Sequence, residues 1–353
     1  MLGASNYDTL PSAIASENDT KGAVVPTTLM TQVCRMLGIS TPIIQAPIGS
    51  ATTAELAAAV SGAGGLGTLA LTWVTPQEAT RRIRSTRWFT DRPFGVNLVL
   101  DFPVDHVLAA CLEEGVPIIS TFWGDPASVN ERVHAAGALH LHTVGSTDEA
   151  RRAVDAGVDV VVAQGWEAGG HVRGRVATMA LVPAVVDTVH PVPVIAAGGI
   201  GDGRGLAAAL ALGAQAGWLG TRFLAALEAN THESYRAGVL RATESDTVYT
   251  RCFDGGWPNA LHRALRNSTI TEWERAGRLP SPRRPGEGEV LATTRDGRSH
   301  LRYDDMIPTA DASGDLEAMA LYAGQSTGLV TRTAPAAEIV RTIAAQAADI
   351  FEH

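Results

Sequence analysis

Eight short apolar runs, each bounded by glycine or proline, recur along the chain and constrain its fold more than any other feature. They occupy residues 42–47, 65–70, 94–100, 117–123, 138–144, 158–165, 192–200 and 216–224. Near-continuous apolar runs of this length are typical of parallel strands that are buried on both faces. Because their starts lie 20 to 34 residues apart, a helix fits between successive strands. The pattern predicts eight βα units.

The segments between the runs begin and end as helices do. Thr75 and Ser146 are suited to cap helix N-termini, and Gly115 and Gly137 stand where a left-handed residue would end a helix. Eight successive βα units favour an α/β fold of the closed TIM (β/α)8 barrel type. An open doubly wound sheet is the alternative.

The regular alternation of predicted strands and helices divides the chain into three parts. Residues 1–30 are polar and lack periodicity, so we expect a flexible tail. Residues 31–228 and 315–353 form the predicted barrel, with a helix expected over 315–349. Residues 229–314 do not continue the alternation of strands and helices, and we interpret them as an inserted, mainly helical lid subdomain that covers a substrate.

Composition narrows the classes of partner and location. The net charge of −9, from 37 acidic and 28 basic residues without long runs of either sign, argues against nucleic acid or a membrane surface as the main partner. No secretory signal or span long enough for a bilayer is visible. The three cysteines, Cys34, Cys111 and Cys252, lack metal-site spacing. A cytoplasmic location is therefore expected.

Lysine usage excludes two mechanisms. Lys21 is the only lysine of the chain and falls in the predicted tail. Schiff-base aldolases and pyridoxal-phosphate enzymes both need a lysine at the active site. Metal catalysis is also disfavoured, because the predicted strand ends carry few carboxylates that could converge on an ion.

Glycines mark a predicted phosphate site. The seventh run ends at Gly198-Gly199, and the eighth contains Gly220-Thr221. In barrels of this kind, phosphates bind on the loops after the last two strands, where glycine lets backbone amides approach an anion. The alternative is that these glycines only form tight turns. The spacing does not match the dinucleotide motif G-x-G-x-x-G.

The ends of the other runs suit a flat heterocycle. Ala46, Pro47 and Ile48 follow the first run, and Asn97 and Gln164 belong to the third and sixth. Apolar and amide side chains can cover and hydrogen-bond the edge of such a ring. Flavin mononucleotide (FMN) is such a ligand: its ring would lie across the mouth of the barrel, with its phosphate on the glycine loops.

His171 is the leading candidate for acid–base catalysis. It follows Gly169 and Gly170 in the loop after the sixth run, where its imidazole would face the mouth of the barrel. With a pKa near neutrality it could exchange a proton with substrate. Glu167 of the same loop is expected to support the loop or the next helix. The remaining histidines are expected to be structural.

At these positions the sequence resembles the nitronate monooxygenase (2-nitropropane dioxygenase-like) family, which is related to FMN-dependent enoyl-acyl-carrier-protein reductases. The matching segments are Gln45-Ala46-Pro47, Gly95-Val96-Asn97-Leu98, Gln164 to His171, Pro193 to Ile200, Asp202-Gly203-Arg204-Gly205, Gly220-Thr221-Arg222-Phe223 and Ala323-Gly324-Gln325-Ser326. Ile48 stands where the family commonly has methionine, and the segment His171 to Gly174 is one residue longer than the usual His-x-Gly.

The resemblance implies non-covalent FMN and His171 as the base that acts on an alkyl nitronate or a related carbon acid, with O2 as oxidant. One alternative is an NAD(P)H-dependent reductase of an enoyl thioester, a quinone or a specialised metabolite. Another is a non-redox barrel that binds a phosphorylated ligand. The substrate would be a small molecule, and a homodimer is expected. The cofactor-binding candidates are Ala46, Pro47, Ile48, Asn97, Gln164, Gly169, Gly170, Gly198, Gly199, Trp218, Gly220, Thr221 and Gln325.

Overall fold

Eight parallel strands form a barrel in the computed structural model, which describes residues 29–353. The barrel strands are β1 (Ile43–Gln45), β2 (Gly67–Ala70), β3 (Phe94–Val99), β4 (Ile118–Phe122), β5 (Leu139–Val144), β6 (Val160–Gln164), β8 (Val194–Ala197) and β9 (Gly217–Leu219). Their order is β1-β9-β8-β6-β5-β4-β3-β2, and a parallel bridge between Ile44 and Leu66 joins the two ends. The predicted barrel is confirmed, and the open sheet is wrong.

Helices alternate with these strands along the chain. They are α1 (Gln32–Leu37), α2 (Ala54–Gly62), α3 (Pro76–Phe89), α4 (Asp105–Glu113), α5 (Ala127–Ala135), α6 (Thr147–Asp155), α7 (Thr178–Val189), α8 (Gly203–Ala211) and the short α9 (Thr221–Leu224). The hydroxyls of Thr75 and Ser146 cap α3 and α6 as expected. Gly115 and Gly137 follow α4 and α5 with φ of 63° and 74°, the left-handed region that ends helices.

The interior of the barrel is filled by apolar side chains, and its N-terminal end is closed by α1. Ile44, Val162 and Ile195 from three different strands belong to one buried cluster with Val33 and Leu37 of α1. The Thr31 hydroxyl, which caps α1, also donates to the Gln215 carbonyl just before β9, at 2.7 Å. Because this end is plugged, access to the barrel is from the opposite end.

The insertion differs from the expected helical lid. Residues 229–314 contain two helices, α10 (Glu233–Arg241) and α11 (Ser268–Arg275). They also contain five strands: β10 (Thr247–Thr250), β11 (His262–Leu265), β12 (Val290–Thr293), β13 (Ser299–Leu301) and β14 (Ser313–Gly314). Strand and helix therefore contribute about equally. The strands are too short for alternation to be visible in the sequence.

Two small antiparallel sheets organise the insertion. One has the order β10-β11-β7, where β7 (Gly170–His171) belongs to the loop after β6, and the other has the order β13-β12-β14. The first sheet therefore ties the insertion directly to the loop that carries His171. The division into barrel and lid domains stays a prediction.

The C-terminal helix is shorter than expected. The helix predicted over 315–349 is α12 (Ala336–Glu352) alone, because Gly324, Gly328 and Pro335 interrupt the preceding segment, which forms only a 3-10 turn at Gln325–Leu329. α12 packs against α8 and α2 and completes the outer layer. Within residues 29–353, no helix is long and apolar enough to cross a membrane. Residues 1–28, including most of the predicted tail and Lys21, lie outside the described residues.

Candidate active site

A cavity of about 1050 Å³ opens at the C-terminal ends of the barrel strands. It is large enough for a cofactor together with a small substrate. Its walls come from the strand ends and from the insertion. Thirteen of the fourteen predicted site residues line it: Ala46, Pro47, Ile48, Asn97, Gln164, Gly169, Gly170, His171, Gly198, Gly199, Trp218, Gly220 and Thr221.

Gln325 is the exception, and its contact with the cofactor stays a prediction. It lines a separate, shallow pocket with Glu167 and Gly328, and its backbone N–H donates to the Glu167 carbonyl at 2.9 Å. The chain turns into a 3-10 helix at this residue. The side chain that lines the cavity is therefore that of the next residue, Ser326.

Gly198 and Gly199 form a concave loop that a side chain would disturb. Their φ angles are 97° and 74°, a region that other residues rarely adopt. A Cβ at Gly198 would lie 3.0 Å from the Gly165 carbonyl oxygen, whereas a Cβ at Gly199 would meet nothing within 4 Å. Gly199 therefore borders open space in the cavity, and its backbone can approach a ligand.

The N-terminus of α8, which follows this loop, has no free amides in its first turn. The Asp202 carboxylate accepts from the backbone N–H groups of Arg204 and Gly205, and Gln346 Oε1 accepts from Gly203 at 3.0 Å. An anion in the cavity would therefore bind to the loop itself rather than to this helix end.

The end of β9 lies beside the glycine loop, because β8 and β9 are paired neighbours in the barrel. Gly220 packs near Ile48, whose Cγ2 would lie 3.5 Å from a Cβ at position 220. The Thr221 hydroxyl accepts from the Gly324 N–H at 2.9 Å, which joins the end of the barrel to the segment before α12. Gly220, Thr221 and Ser326 thus add small and hydroxyl-bearing residues to the cavity wall.

Two amide side chains line the middle of the cavity. Asn97 Oδ1 accepts from the Ser120 hydroxyl at 3.0 Å, which fixes the orientation of that amide. Gln164 Nε2 donates to the His171 carbonyl at 3.2 Å. Gln164 Oε1 is buried and has no hydrogen-bond partner among the described residues. A buried acceptor without a partner is costly, so this atom is available to a ligand.

His171 is held in place by a strand pair and by aromatic rings. It lies opposite His262 in the antiparallel pair of β7 and β11. Its ring centroid is 4.4 Å from that of Trp257 and 5.4 Å from that of Tyr322. His171 Nε2 is buried and lacks a hydrogen-bond partner within residues 29–353. The imidazole therefore presents an unused nitrogen at the cavity.

The imidazole of His171 is neutral at physiological pH. Burial, and after it the neighbouring His262, hold the pKa of His171 well below its usual value. Burial also lowers the pKa of His262 to about 4. This differs from the near-neutral pKa expected for His171. The insertion buries the ring among Trp257, Tyr322 and His262, away from the water that would stabilise a positive charge. A neutral imidazole can accept a proton but is a poor proton donor.

Many of the residues that line the cavity were not among the predicted site residues, and Trp257, Tyr322 and Asp305 are three of them. Trp257 is fixed by a hydrogen bond from its indole N–H to Asp101 Oδ2, at 3.2 Å. All three lie after the last predicted strand, where strands and helices no longer alternate and strand ends could not be identified. The sequence offered a signal for Trp257 alone, a large aromatic residue within the predicted lid.

Other expectations about polar residues are confirmed. Both Glu167 carboxylate oxygens accept from the Thr178 N–H at 3.0 and 3.1 Å, so Glu167 supports the first turn of α7. His140 and His142 both contact the Thr121 hydroxyl, at 2.7 and 2.8 Å, outside the cavity. These histidines are structural.

Comparison with known proteins agrees with this architecture. The sequence profile of the nitronate monooxygenase family matches residues 30–106 and 103–346. A dehydrogenase of Rhodococcus jostii, named for (3aS,4S,5R,7aS)-5-hydroxy-7a-methyl-1-oxo-octahydro-1H-indene-4-carboxyl-CoA, is 36% identical over 253 residues, 71% of this chain and 70% of the relative.

Two solved structures extend the similarity. FabK from Thermotoga maritima superposes with a TM-score of 0.75 at 34% identity and covers 92% of this chain and 97% of its own. Nitroalkane oxidase from Streptomyces ansochromogenes gives 0.74 at 32% identity and covers 89% and 97%. The matches span the barrel, the glycine loops and the insertion, and the chain therefore belongs to the nitronate monooxygenase family and is a flavin-dependent oxidoreductase.

Proposed function

We propose that this protein binds FMN and oxidises an alkyl nitronate or a related carbon acid, with His171 as the base and O2 as oxidant. The observation that carries the proposal is His171 Nε2, a buried nitrogen without a partner among the described residues, in the same cavity as the glycine loops. Family membership, and the similarity to a nitroalkane oxidase, support this reaction class.

The residues of the cavity fit FMN. Gly199 and Gly220 leave room for a phosphate, and the hydroxyl of Ser326 lines the same region. Ala46, Pro47 and Trp218 would cover the flavin ring, and the free Gln164 Oε1 would accept from a ring N–H. The chemistry that bound FMN supplies is the acceptance of two electrons from the substrate and their transfer to O2.

His171 would act on the substrate proton. A neutral imidazole can take a proton from carbon at Nε2 while the bonding electrons remain on the substrate. The imidazolium that forms is disfavoured by burial, but the substrate anion produced beside it compensates that charge. Because its lowered pKa keeps His171 unprotonated at physiological pH, the imidazole is in the form that a base needs and that an acid lacks.

The test is an anaerobic titration of the FMN-loaded protein with ethyl nitronate and then with NADH, followed by visible absorbance. We expect ethyl nitronate alone to bleach the flavin. His171→Ala should reduce turnover of neutral nitroethane at least 100-fold, the lower range for loss of a general base, and should spare flavin content. Unchanged nitroethane turnover in that variant would remove His171 from the mechanism.

A second candidate is an NAD(P)H-dependent reductase or a dehydrogenase of a larger substrate. The observation that favours it is the similarity to the Rhodococcus jostii CoA-ester dehydrogenase. Bleaching of the flavin by NADH or NADPH but not by ethyl nitronate would select this candidate. A protein that retains no flavin after addition of FMN would contradict both candidates.

We further propose a cytoplasmic location and a homodimer. The three free, buried cysteines support a reducing compartment. The exposed Trp88, Phe89, Ile350 and Phe351 on α3 and α12 are apolar groups that a second copy could cover. Light scattering of the purified protein measures the oligomeric state directly, and a monomer mass would contradict the dimer.

A further inference from the structure

Tyr322 lines the cavity, and its buried hydroxyl has no role in the function proposed above. Eight buried side-chain polar atoms of the described residues lack a hydrogen-bond partner. Three of them belong to residues that line this one cavity: Gln164 Oε1, His171 Nε2 and the Tyr322 hydroxyl. In the proposed function, Gln164 Oε1 accepts a hydrogen bond from the edge of the flavin, and His171 Nε2 accepts the substrate proton. The Tyr322 hydroxyl remains.

The backbone around Tyr322 holds its ring close to His171. Tyr322 bridges to Ala264 of β11, and the neighbouring Leu265 N–H donates to the Leu321 carbonyl at 2.8 Å. The Tyr322 carbonyl also accepts from the Tyr235 hydroxyl. Because β7, which carries His171, pairs with the same edge of β11, Tyr322 and His171 are both held by one strand. Their ring centroids are 5.4 Å apart.

The chemical state of the hydroxyl makes it a hydrogen-bond donor. Burial, and then the charge of Asp305, raise the pKa of Tyr322 well above its usual value, so the phenol stays protonated. Asp305 lines the cavity but makes no hydrogen bond with Tyr322. A buried donor without an acceptor is unfavourable, and the cavity is where an acceptor can enter.

We propose that the Tyr322 hydroxyl binds the charged oxygen of the substrate and so determines its class. The acidic carbon faces His171 Nε2, and an oxygen two bonds away faces Tyr322. When the C–H bond breaks, the proton moves to Nε2 and the electron pair shifts toward that oxygen, which accepts the hydrogen bond from Tyr322. No oxidant takes part in this step. The inference rests on the proposed role of His171 as base.

The ligand class follows from this two-point arrangement. It comprises small molecules with a nitro or carbonyl oxygen attached next to an acidic C–H bond, and the planar anions that they form, nitronates and enolates, whose shape and charge a carboxylate imitates. Hydrogen bonds to a charged acceptor are stronger than those to a neutral one. Tyr322 would therefore bind the product of deprotonation more tightly than the neutral starting compound.

The test measures binding of propionate, a planar anion that cannot be oxidised in this way, to the FMN-loaded protein. Binding is followed by the shift of the flavin spectrum and, independently, by isothermal titration calorimetry. We expect Tyr322→Phe to raise the Kd of propionate about 10- to 100-fold, the loss of one hydrogen bond to a charged group. The phenyl ring is retained, so packing is preserved.

Tyr303→Phe is the matched control. Tyr303 is buried in the insertion, and its hydroxyl donates to the Pro285 carbonyl at 2.7 Å, away from the cavity. It should leave the Kd of propionate unchanged. An equal Kd in wild type and Tyr322→Phe, with both proteins folded by circular dichroism, would overturn the proposal.

A kinetic measurement separates this inference from the proposed function. Tyr322→Phe should lower kcat/KM for neutral nitroethane by about 10-fold or more, because the anion that forms on deprotonation loses its donor. If wild type oxidises no nitronate but propionate binding still depends on Tyr322, the proposed function fails and the anion site stands. If ethyl nitronate is oxidised equally well with and without the hydroxyl, and propionate binds equally, only the anion site fails.

Discussion

At the scale of single residues, Gly199 and Gly137 share a backbone conformation but not their surroundings. Both have φ of 74°, and a Cβ at either position would meet nothing within 4 Å. Gly199 borders the cavity, whereas Gly137 ends α5 on the outside of the barrel. The pair therefore separates backbone strain from ligand binding.

We predict that Gly199→Ala and Gly137→Ala each lower the free energy of unfolding by about 1–2 kcal/mol, because alanine is strained in the left-handed region. Only Gly199→Ala should also weaken FMN binding, by about 10-fold or more, since its methyl group enters the proposed phosphate space. Urea unfolding and FMN titration measure the two effects. Equal FMN affinity in both variants would place the phosphate elsewhere.

Asp305 should make stability depend on pH. Burial, followed by the charge of Asp304, raises the pKa of Asp305 from 3.8 to about 6. A raised carboxyl pKa means that the folded state prefers the proton, so stability is full below pH 3.8 and declines as pH rises through 6. The total effect is at most about 3 kcal/mol, from about 1.4 kcal/mol per pKa unit.

Asp305→Asn is therefore expected to stabilise the flavin-free protein at pH 8 by about 1–3 kcal/mol and to have little effect near pH 4. Urea unfolding of both proteins at the two pH values is the measurement. A variant that is equally or less stable than wild type at pH 8 would show that the Asp305 carboxylate is well solvated.

Residues at strand ends were predictable from the sequence, but those of the insertion were not. Asn97, Gln164 and Gly199 terminate apolar runs, and the chain topology alone brings such ends together. Tyr322 reaches the same cavity through its bridge to Ala264 of β11, and Trp257 is held there by its hydrogen bond to Asp101. Both are tertiary contacts, and no local pattern specifies them.

At the scale of elements, a buried arginine holds the insertion together. Arg284 pairs with Asp254 at 2.5 Å and with Glu287 at 2.6 Å, and its guanidinium lies 4.2 Å from the centroid of the Tyr303 ring. The hydrogen bond from Arg284 is the main cause that lowers the pKa of Glu287 to about 2. Both acidic side chains thus depend on one cation that is 8% exposed.

Arg284→Ala should destabilise the insertion by about 3 kcal/mol, because it leaves two carboxylates without their partner in a partly buried setting. Arg151→Ala, which removes an exposed pair with Asp148, should cost less than about 1 kcal/mol. Hydrogen exchange of residues 252–303 in the two variants is the comparison. Equal protection in this segment would mean that packing alone supports the insertion.

The barrel strands and the helix caps could be predicted because local signals act in the same direction. Most residues of the buried strands are apolar, and Thr75 and Ser146 cap the helices that follow β2 and β5. In the insertion, strands of two to four residues give no period. The helix content there was overestimated because α10 and α11 are separated by strands that the sequence does not distinguish from loops.

At the scale of the whole molecule, buried histidines should make the fold sensitive to acid. Burial lowers the pKa of His140 to about 3, and that of His142 and His262 to about 4. Lowered histidine pKa values mean that the unfolded state binds more protons below pH 6.5. Stability is therefore full above that pH and is lost as the pH falls toward 4.

We predict that the free energy of unfolding decreases by up to about 3 kcal/mol per pH unit between pH 6 and pH 4: each of the three histidines contributes about 1.4 kcal/mol, and Asp305, whose raised pKa acts in the opposite direction, offsets about 1.4 kcal/mol. His142→Asn should reduce this slope by about half. Urea unfolding across the pH range provides the test. A flat dependence in wild type would mean that these imidazoles are protonated without disrupting their contacts.

The position of α12 affects how this chain is assembled during synthesis. Residues 336–352 pack between α8 and α2 and hold the Gly203 amide through Gln346, yet they are translated after the whole insertion. Until they emerge from the ribosome, the apolar faces of α2 and α8 lack their cover. Nascent chains halted before Ala336 should therefore expose the apolar surface of α2 and α8 and bind chaperones, even though all eight barrel strands have been synthesised.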